Sequence, residues 1–220
     1  MGPPAAPTRA QDRCALPELY LITPQPGADD ARFLQDLHAS LAAHAPGALL
    51  VQFRAHGLEP EHWLALAGEV LRLCREHDAR LLLGAAGLTG ATPAQVMRSL
   101  RELGAHGLQL PSRMLREPAW CEACGADCAQ LLLAASCHDA AQLQAAQALG
   151  ATFATVSPVL PTASHPGAAG LGWEKLRELC QQTCLPVYAL GGLDARDASR
   201  ARAAGAVGIA AIRGLWLGNG

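Results

Sequence analysis

Phe153 to Trp173 reads FATVSPVLPTASHPGAAGLGW. The segment Phe153–Val159 has the length and continuous apolar character of a strand buried on both faces. It passes directly into Pro, Thr, Ser, His and Gly, the composition of a binding loop leaving the carboxyl end of a parallel strand. Two further exits repeat the pattern, PVYALGG at Pro186–Gly192 and VGIAAIR at Val207–Arg213. Apolar strands that end, in series, in glycine, hydroxyl and basic residues predict a barrel whose rim takes a phosphorylated small molecule.

Working outward, other short apolar runs stand at Leu19–Thr23, Ala48–Arg54, Arg80–Gly84, Gly107–Pro111 and Leu131–Ser136. Amphipathic segments such as EHWLALAGEVLRLCREH (Glu61–His77) and DAAQLQAAQAL (Asp139–Leu149) lie between them with apolar residues at helical spacing. Gly104-Ala105, Gly150-Ala151 and Gly205-Ala206 mark returns from helix to strand, where glycine suits the left-handed position after a helix. Asp139 and Asp194 stand where the following helices need N-caps. Strands alternating with helices predict an α/β fold, a single (β/α)8 TIM barrel spanning residues 18–220. No GxGxxG follows the first strand, which disfavours an open dinucleotide-binding sheet. Only Gly214–Gly220 follows the last strand, so the last helix is expected to be shortened, with the N-terminal segment or a second subunit covering that wall. Residues 1–17, rich in Pro, Ala and Arg, read as a flexible tail or linker.

With 220 residues, half of them apolar, the chain can bury one large core. A net charge of −2 suggests no nucleic-acid partner and no anionic membrane surface, and no apolar run reaches bilayer length. The reading is of a cytoplasmic protein. Of the eight cysteines, Cys121, Cys124 and Cys128 form CxxCxxxC. Three ligands fall short of the four of a structural zinc site, so thiols packed as small hydrophobes are the expectation.

At the strand ends stand Gln52, Arg54 and His56 after strand 2, Gly84-Ala85-Ala86 after strand 3, and Gln109, Ser112 and Arg113 after strand 4. Strand 5 ends in Ser136-Cys137-His138-Asp139, and strand 6 leads to Thr162, Ser164 and His165. Gly191, Gly192, Ala211, Ile212 and Arg213, at the exits of strands 7 and 8, are the expected phosphate-binding group, because bare backbone N–H groups there cradle anions. His138 is the candidate acid–base residue, histidine being the side chain suited to moving protons near neutral pH. No carboxylate follows strands 3 or 4, so no hard-metal cage is evident and no metal ligand is assigned.

VQFR (Val51–Arg54), SCHD (Ser136–Asp139), SPVLPTASHPG (Ser157–Gly167), ALGGL (Ala189–Leu193) and GIAAIRGLW (Gly208–Trp216) together resemble the thiamine phosphate synthase and TenI superfamily, from Leu19 to Trp216. The resemblance implies an often oligomeric (β/α)8 barrel that acts on thiazole phosphate. Gln52 and Arg54 match the synthase motif QxRxK, with His56 at the lysine position. Ser136 matches a serine that touches the aminopyrimidine, and Thr162 and Ser164 match TxT, with His165 in place of the following lysine. Gly191 and Gly192 match the glycines at the thiazole phosphate, and Arg213 replaces a serine beside it. The metal-binding Asn-Asp after strand 3 is Gly84-Ala85 here, and the HxGQxD after strand 4 has become Gln109–Met114 without its carboxylate.

The TenI branch departs in the same direction and uses a histidine at the position of His138. The expectation is therefore a TenI-like thiazole phosphate tautomerase with His138 as acid and base and no cofactor. One alternative is a thiamine phosphate synthase, which would need Mg²⁺. Another is a non-catalytic module that binds a thiamine-type phosphate, as part of a nudix fusion.

Overall fold

The protein is described here as a computed structural model over residues 16–125, 131–162 and 169–218. Eight parallel strands close into a ring in chain order: β1 (Leu19–Ile22), β2 (Leu49–Phe53), β3 (Arg80–Gly84), β4 (Gly107–Leu110), β5 (Leu132–Cys137), β6 (Phe153–Val156), β7 (Val187–Leu190) and β8 (Gly208–Ala211). Closure is made by β1 against β8, with Leu19 opposite Ile209 and Leu21 opposite Ala211. Seven helices lie between the strands: α1 (Asp30–Ala42), α2 (Pro60–Glu76), α3 (Pro93–Leu103), α4 (Pro118–Gly125), α5 (Ala140–Ala148), α6 (Gly172–Gln181) and α7 (Ala198–Ala203). The fold is the expected (β/α)8 barrel.

Strand alternation sorts the core into two layers. Leu21, Val51, Phe53, Leu81 and Leu83 point outward against the helices, while Tyr20, Leu50, Leu82, Phe153 and Tyr188 fill the ring. The interior is wedged by three rings, Tyr20, Phe153 and Tyr188, with centroids 5.3–5.6 Å apart. Ala134 and Ala210 leave them room. The two tyrosines point their hydroxyls to opposite ends. Tyr188 donates to the carbonyl of Pro17 at the amino end, where Leu16 also packs. Tyr20 donates to Gln109 Oε1 at 2.9 Å, and Gln109 Nε2 donates to Ser136 Oγ at 2.9 Å. A polar tier thus begins just above the aromatic one.

The helix ends follow the sequence signals. Asp139 accepts from the backbone N–H of Gln142 at 2.8 Å, and Asp194 caps a short 3₁₀ turn over Ala195–Asp197. Gly104, Gly150 and Gly205 have φ of 72°, 84° and 91°. β6 ends at Val156, earlier than the apolar run to Val159 suggests. Pro158 has no N–H to continue a ladder, yet Val159 and Leu160 still donate to the carbonyls of Leu190 and Gly191, so this segment stays laced to β7.

After β8 no helix forms among the described residues. Among the described residues, 215–217 pack against this wall. Leu215 and Trp216 are buried, Trp216 lies 5.3 Å from the Phe33 ring of α1, and the Leu217 N–H donates to Ser40 Oγ at 2.8 Å. No described helix is long and apolar enough to cross a membrane.

Candidate functional site

Above the polar tier, the carboxyl ends of the strands surround a cavity of about 580 Å³. The exits of β2, β3, β4, β6, β7 and β8 contribute loop residues, whereas β1 and β5 contribute the strand residues Ile22 and Ser136. Gln52 and Arg54 line it from β2, Ser136 from β5 and Thr162 from the β6 loop. Gly191 and Gly192 line it beyond β7, and Ala211, Ile212 and Arg213 at β8. Ser164 and His165 lie outside the described residues. His138 is not among the lining residues.

The β2 exit is held from below. Arg54 N–H donates to Thr23 Oγ1 at 2.9 Å. Gln25 grips the backbone of His56 in both directions, accepting from its N–H at 3.0 Å and donating to its carbonyl at 2.9 Å. Arg54 and His56 are therefore presented by a backbone clasped to the β1 loop. Burial lowers the pKa of His56, the Arg54 and Arg113 charges push it the same way, and a hydrogen bond with the Ala86 backbone opposes them. His56 thus sits in the field of two guanidinium groups that line the same cavity.

Across the ring, Gly191 and Gly192 have φ of 104° and 68°. A Cβ on Gly191 would lie 2.8 Å from Pro158 Cα, and one on Gly192 2.6 Å from the Pro161 carbonyl oxygen. Both the conformation and the contact with the β6 loop require glycine. The corner is a bare backbone surface, with Arg213 beside it on the next exit.

The cavity wall carries Arg54, Arg113, Arg213 and His56 against one carboxylate, Asp194. That carboxylate is already engaged. Arg196 Nη2 donates to Oδ2 at 2.6 Å, its Nε to Oδ1 at 3.0 Å, and its backbone N–H to Oδ1 at 2.9 Å. These bonds hold the Asp194 pKa down at about 2. The wall therefore favours an anionic ligand. It does not suit Mg²⁺, which calls for one or two available carboxylates. The β3 and β4 exits supply Gly84, Ala85, Ala86 and Arg113 instead. Among the described residues no three His, Cys, Asp or Glu side chains form a metal-sized group.

His138 stands just outside. Its Nδ1 lies 2.8 Å from the Ser157 carbonyl, which only accepts, so Nδ1 carries the hydrogen and Nε2 is the basic nitrogen. Ser157 does line the cavity and links the histidine to it. In the sequence Asp194 reads as an N-cap and Ser157 as the start of the SPVLPTASHPG stretch, and neither stands out as a cavity residue. Cys121 is exposed and Cys124 buried, whereas Cys128 falls outside the described residues. Burial pushes Cys74 and Cys137 up to about 12, as expected of packed thiols.

Fold and mouth together define a (β/α)8 barrel with a cationic cavity at the carboxyl end of the ring. The thiamine monophosphate synthase family matches residues 19–215, and the chain belongs to it. It is 34% identical over 206 residues to a thiamine-phosphate synthase of Synechococcus sp., covering 90% of this chain and 52% of that protein. The chain thus spans about half the length of that relative. A thiamine-phosphate synthase of Chromobacterium violaceum is 32% identical over 199 residues, covering 90% of this chain and 87% of the relative. Thiamine phosphate pyrophosphorylase from Pyrococcus furiosus shares the fold, with a TM-score of 0.66 at 21% identity over 89% of this chain and 85% of that one. These names weigh toward the synthase alternative and away from the tautomerase expectation.

Proposed function

We propose that this chain couples a phosphorylated thiazole to an aminopyrimidine diphosphate, forming thiamine phosphate. The observation that carries this is a single cavity with a surplus of positive charge, in a chain of this family. In the reaction, the thiazole nitrogen forms a bond to the pyrimidine methylene carbon, the carbon–oxygen bond to the diphosphate breaks, and pyrophosphate departs with the electron pair. Gly191, Gly192, Ala211, Ile212 and Arg213 hold the thiazole phosphate, with Thr162 also on the cavity wall. Gln52, Arg54 and Ser136 face the pyrimidine side. Ser136 is oriented by Gln109, which Tyr20 fixes in turn, so this wall is set before substrate arrives.

A second reading is favoured by one observation: His138, with Nε2 as its basic nitrogen, is tethered to a residue of the cavity wall. In that reading His138 moves the proton that aromatises a thiazole phosphate tautomer, and no diphosphate takes part. Incubation with both coupling substrates, followed by chromatography, separates the two. Thiamine phosphate is the expected product. Its absence, together with isomerisation of the thiazole tautomer that is lost in His138→Asn, would transfer the site to the tautomerase reading. Thermal stabilisation by the thiazole phosphate with neither reaction would leave a binding module.

A further inference from the structure

The positive charge of the cavity is arranged as two groups on opposite sides of the ring. In the closed order β1 to β8, β2, β3 and β4 lie across from β6, β7 and β8. Gly191, Gly192 and Arg213 stand on the β7 and β8 side. Arg54 and His56 follow β2, and Arg113 follows β4 on a 3₁₀ turn over Ser112–Met114. The β3 exit between them offers only Gly84, Ala85 and Ala86. Two guanidinium groups and an imidazole thus flank a gap lined by the smallest side chains, with no carboxylate facing it. A divalent ion would meet like charge and no carboxylate in this gap. A polyanion would meet charge-assisted donors that require no metal bridge.

We propose that Arg113, with Arg54 and His56, forms a metal-independent subsite for a diphosphate group. Arg113 supplies at the β4 exit the positive charge that a carboxylate-held ion would otherwise bring. The two guanidinium groups approach the diphosphate from the two sides of the β3 gap. His56 lies in the field of both and becomes a third donor when it takes up a proton as the anion arrives. The inference rests on the coupling reading for its choice of a diphosphate as ligand, but its test needs no turnover.

The test is calorimetric titration of the full chain with inorganic pyrophosphate, once in EDTA and once in Mg²⁺. Binding in EDTA is expected with an affinity within about threefold of that of the free anion in Mg²⁺. Arg113 is exposed, so its replacement leaves the core intact. Arg113→Gln is expected to weaken binding about tenfold or more, and Arg113→Lys to restore most of it. Binding that requires Mg²⁺, or an Arg113→Gln variant that binds like the parent, overturns the subsite. The two readings fail separately. Metal-free pyrophosphate binding without thiamine phosphate formation removes the coupling reaction and keeps the subsite. Product formation with strictly Mg²⁺-dependent pyrophosphate binding does the reverse.

Discussion

Single side chains set the floor of the cavity. The Tyr20 hydroxyl is buried, and burial followed by the nearby Tyr188 raises its pKa well above the usual value, so it stays a donor. Tyr20→Phe removes that donor and leaves Gln109 Oε1 buried without it. We expect a loss of about 1–3 kcal/mol in urea unfolding. Gly191→Ala forces a Cβ against Pro158 in a left-handed conformation and should lose about 1–3 kcal/mol as well. Unlike Tyr20→Phe, it should also weaken thiazole phosphate binding, because it reshapes the corner itself. His106 gives a pH dependence. Its Nδ1 accepts from the Leu81 N–H at 3.0 Å, and burial, then the Arg75 and Arg80 charges, lower its pKa below 6.5. The unfolded chain therefore takes up a proton there at a higher pH than the folded one. The stability this histidine contributes is complete above pH 6.5 and is lost as pH falls from there through the lowered folded value. His56, lowered likewise, adds in the same direction. The melting temperature should drop between pH 7 and 5, and His106→Asn should flatten that drop.

At the scale of elements, the strands and helix caps were legible because each carries a local signal. An apolar run of strand length has one use in a parallel barrel, and Asp139 before an amphipathic stretch has one geometry. Asp139→Ala should cost about 1 kcal/mol through loss of its bond to Gln142, read as an earlier unfolding midpoint. The wall after β8 was less legible because it depends on a contact distant in sequence. Gly214–Gly218 look like a remnant, yet Trp216 is buried against Phe33 and Leu217 is anchored to Ser40. Trp216→Ala should therefore cost about 3–5 kcal/mol, the loss expected of a core residue. His138 was hard to place for a related reason. Along β5, Ala134 and Ser136 face the ring, and continued alternation would turn position 138 inward. The strand ends at Cys137, Asp139 turns to cap α5, and the imidazole settles on the Ser157 carbonyl. Strand-end chemistry is readable from spacing, but the direction of the first residue beyond a strand is decided by the cap that follows.

For the whole molecule the decisive quantity is the distribution of charge, since the chain carries −2 overall while its mouth is lined by three arginines, a histidine and one neutralised carboxylate. A uniformly charged mouth would hold one anion and repel a second. A ring of eight strands separates the β2–β4 group from the β7–β8 group, and the uncharged floor of Ile22, Gln109 and Ser136 lies between them. Two anions on opposite walls each meet their own cations, and their mutual repulsion is screened by the arginines between them and the solvent. The thiazole phosphate and inorganic pyrophosphate should therefore bind together. Saturation with the thiazole ester should change the pyrophosphate dissociation constant by less than about threefold at moderate salt. Raising the ionic strength should weaken both ligands, since neither is fully enclosed. Arg213→Gln should weaken the thiazole ester and spare pyrophosphate, whereas Arg113→Gln should do the opposite. Mutual exclusion of the two ligands in the titration would mean one shared anion site, and the separation of charge around the ring would then have no functional consequence.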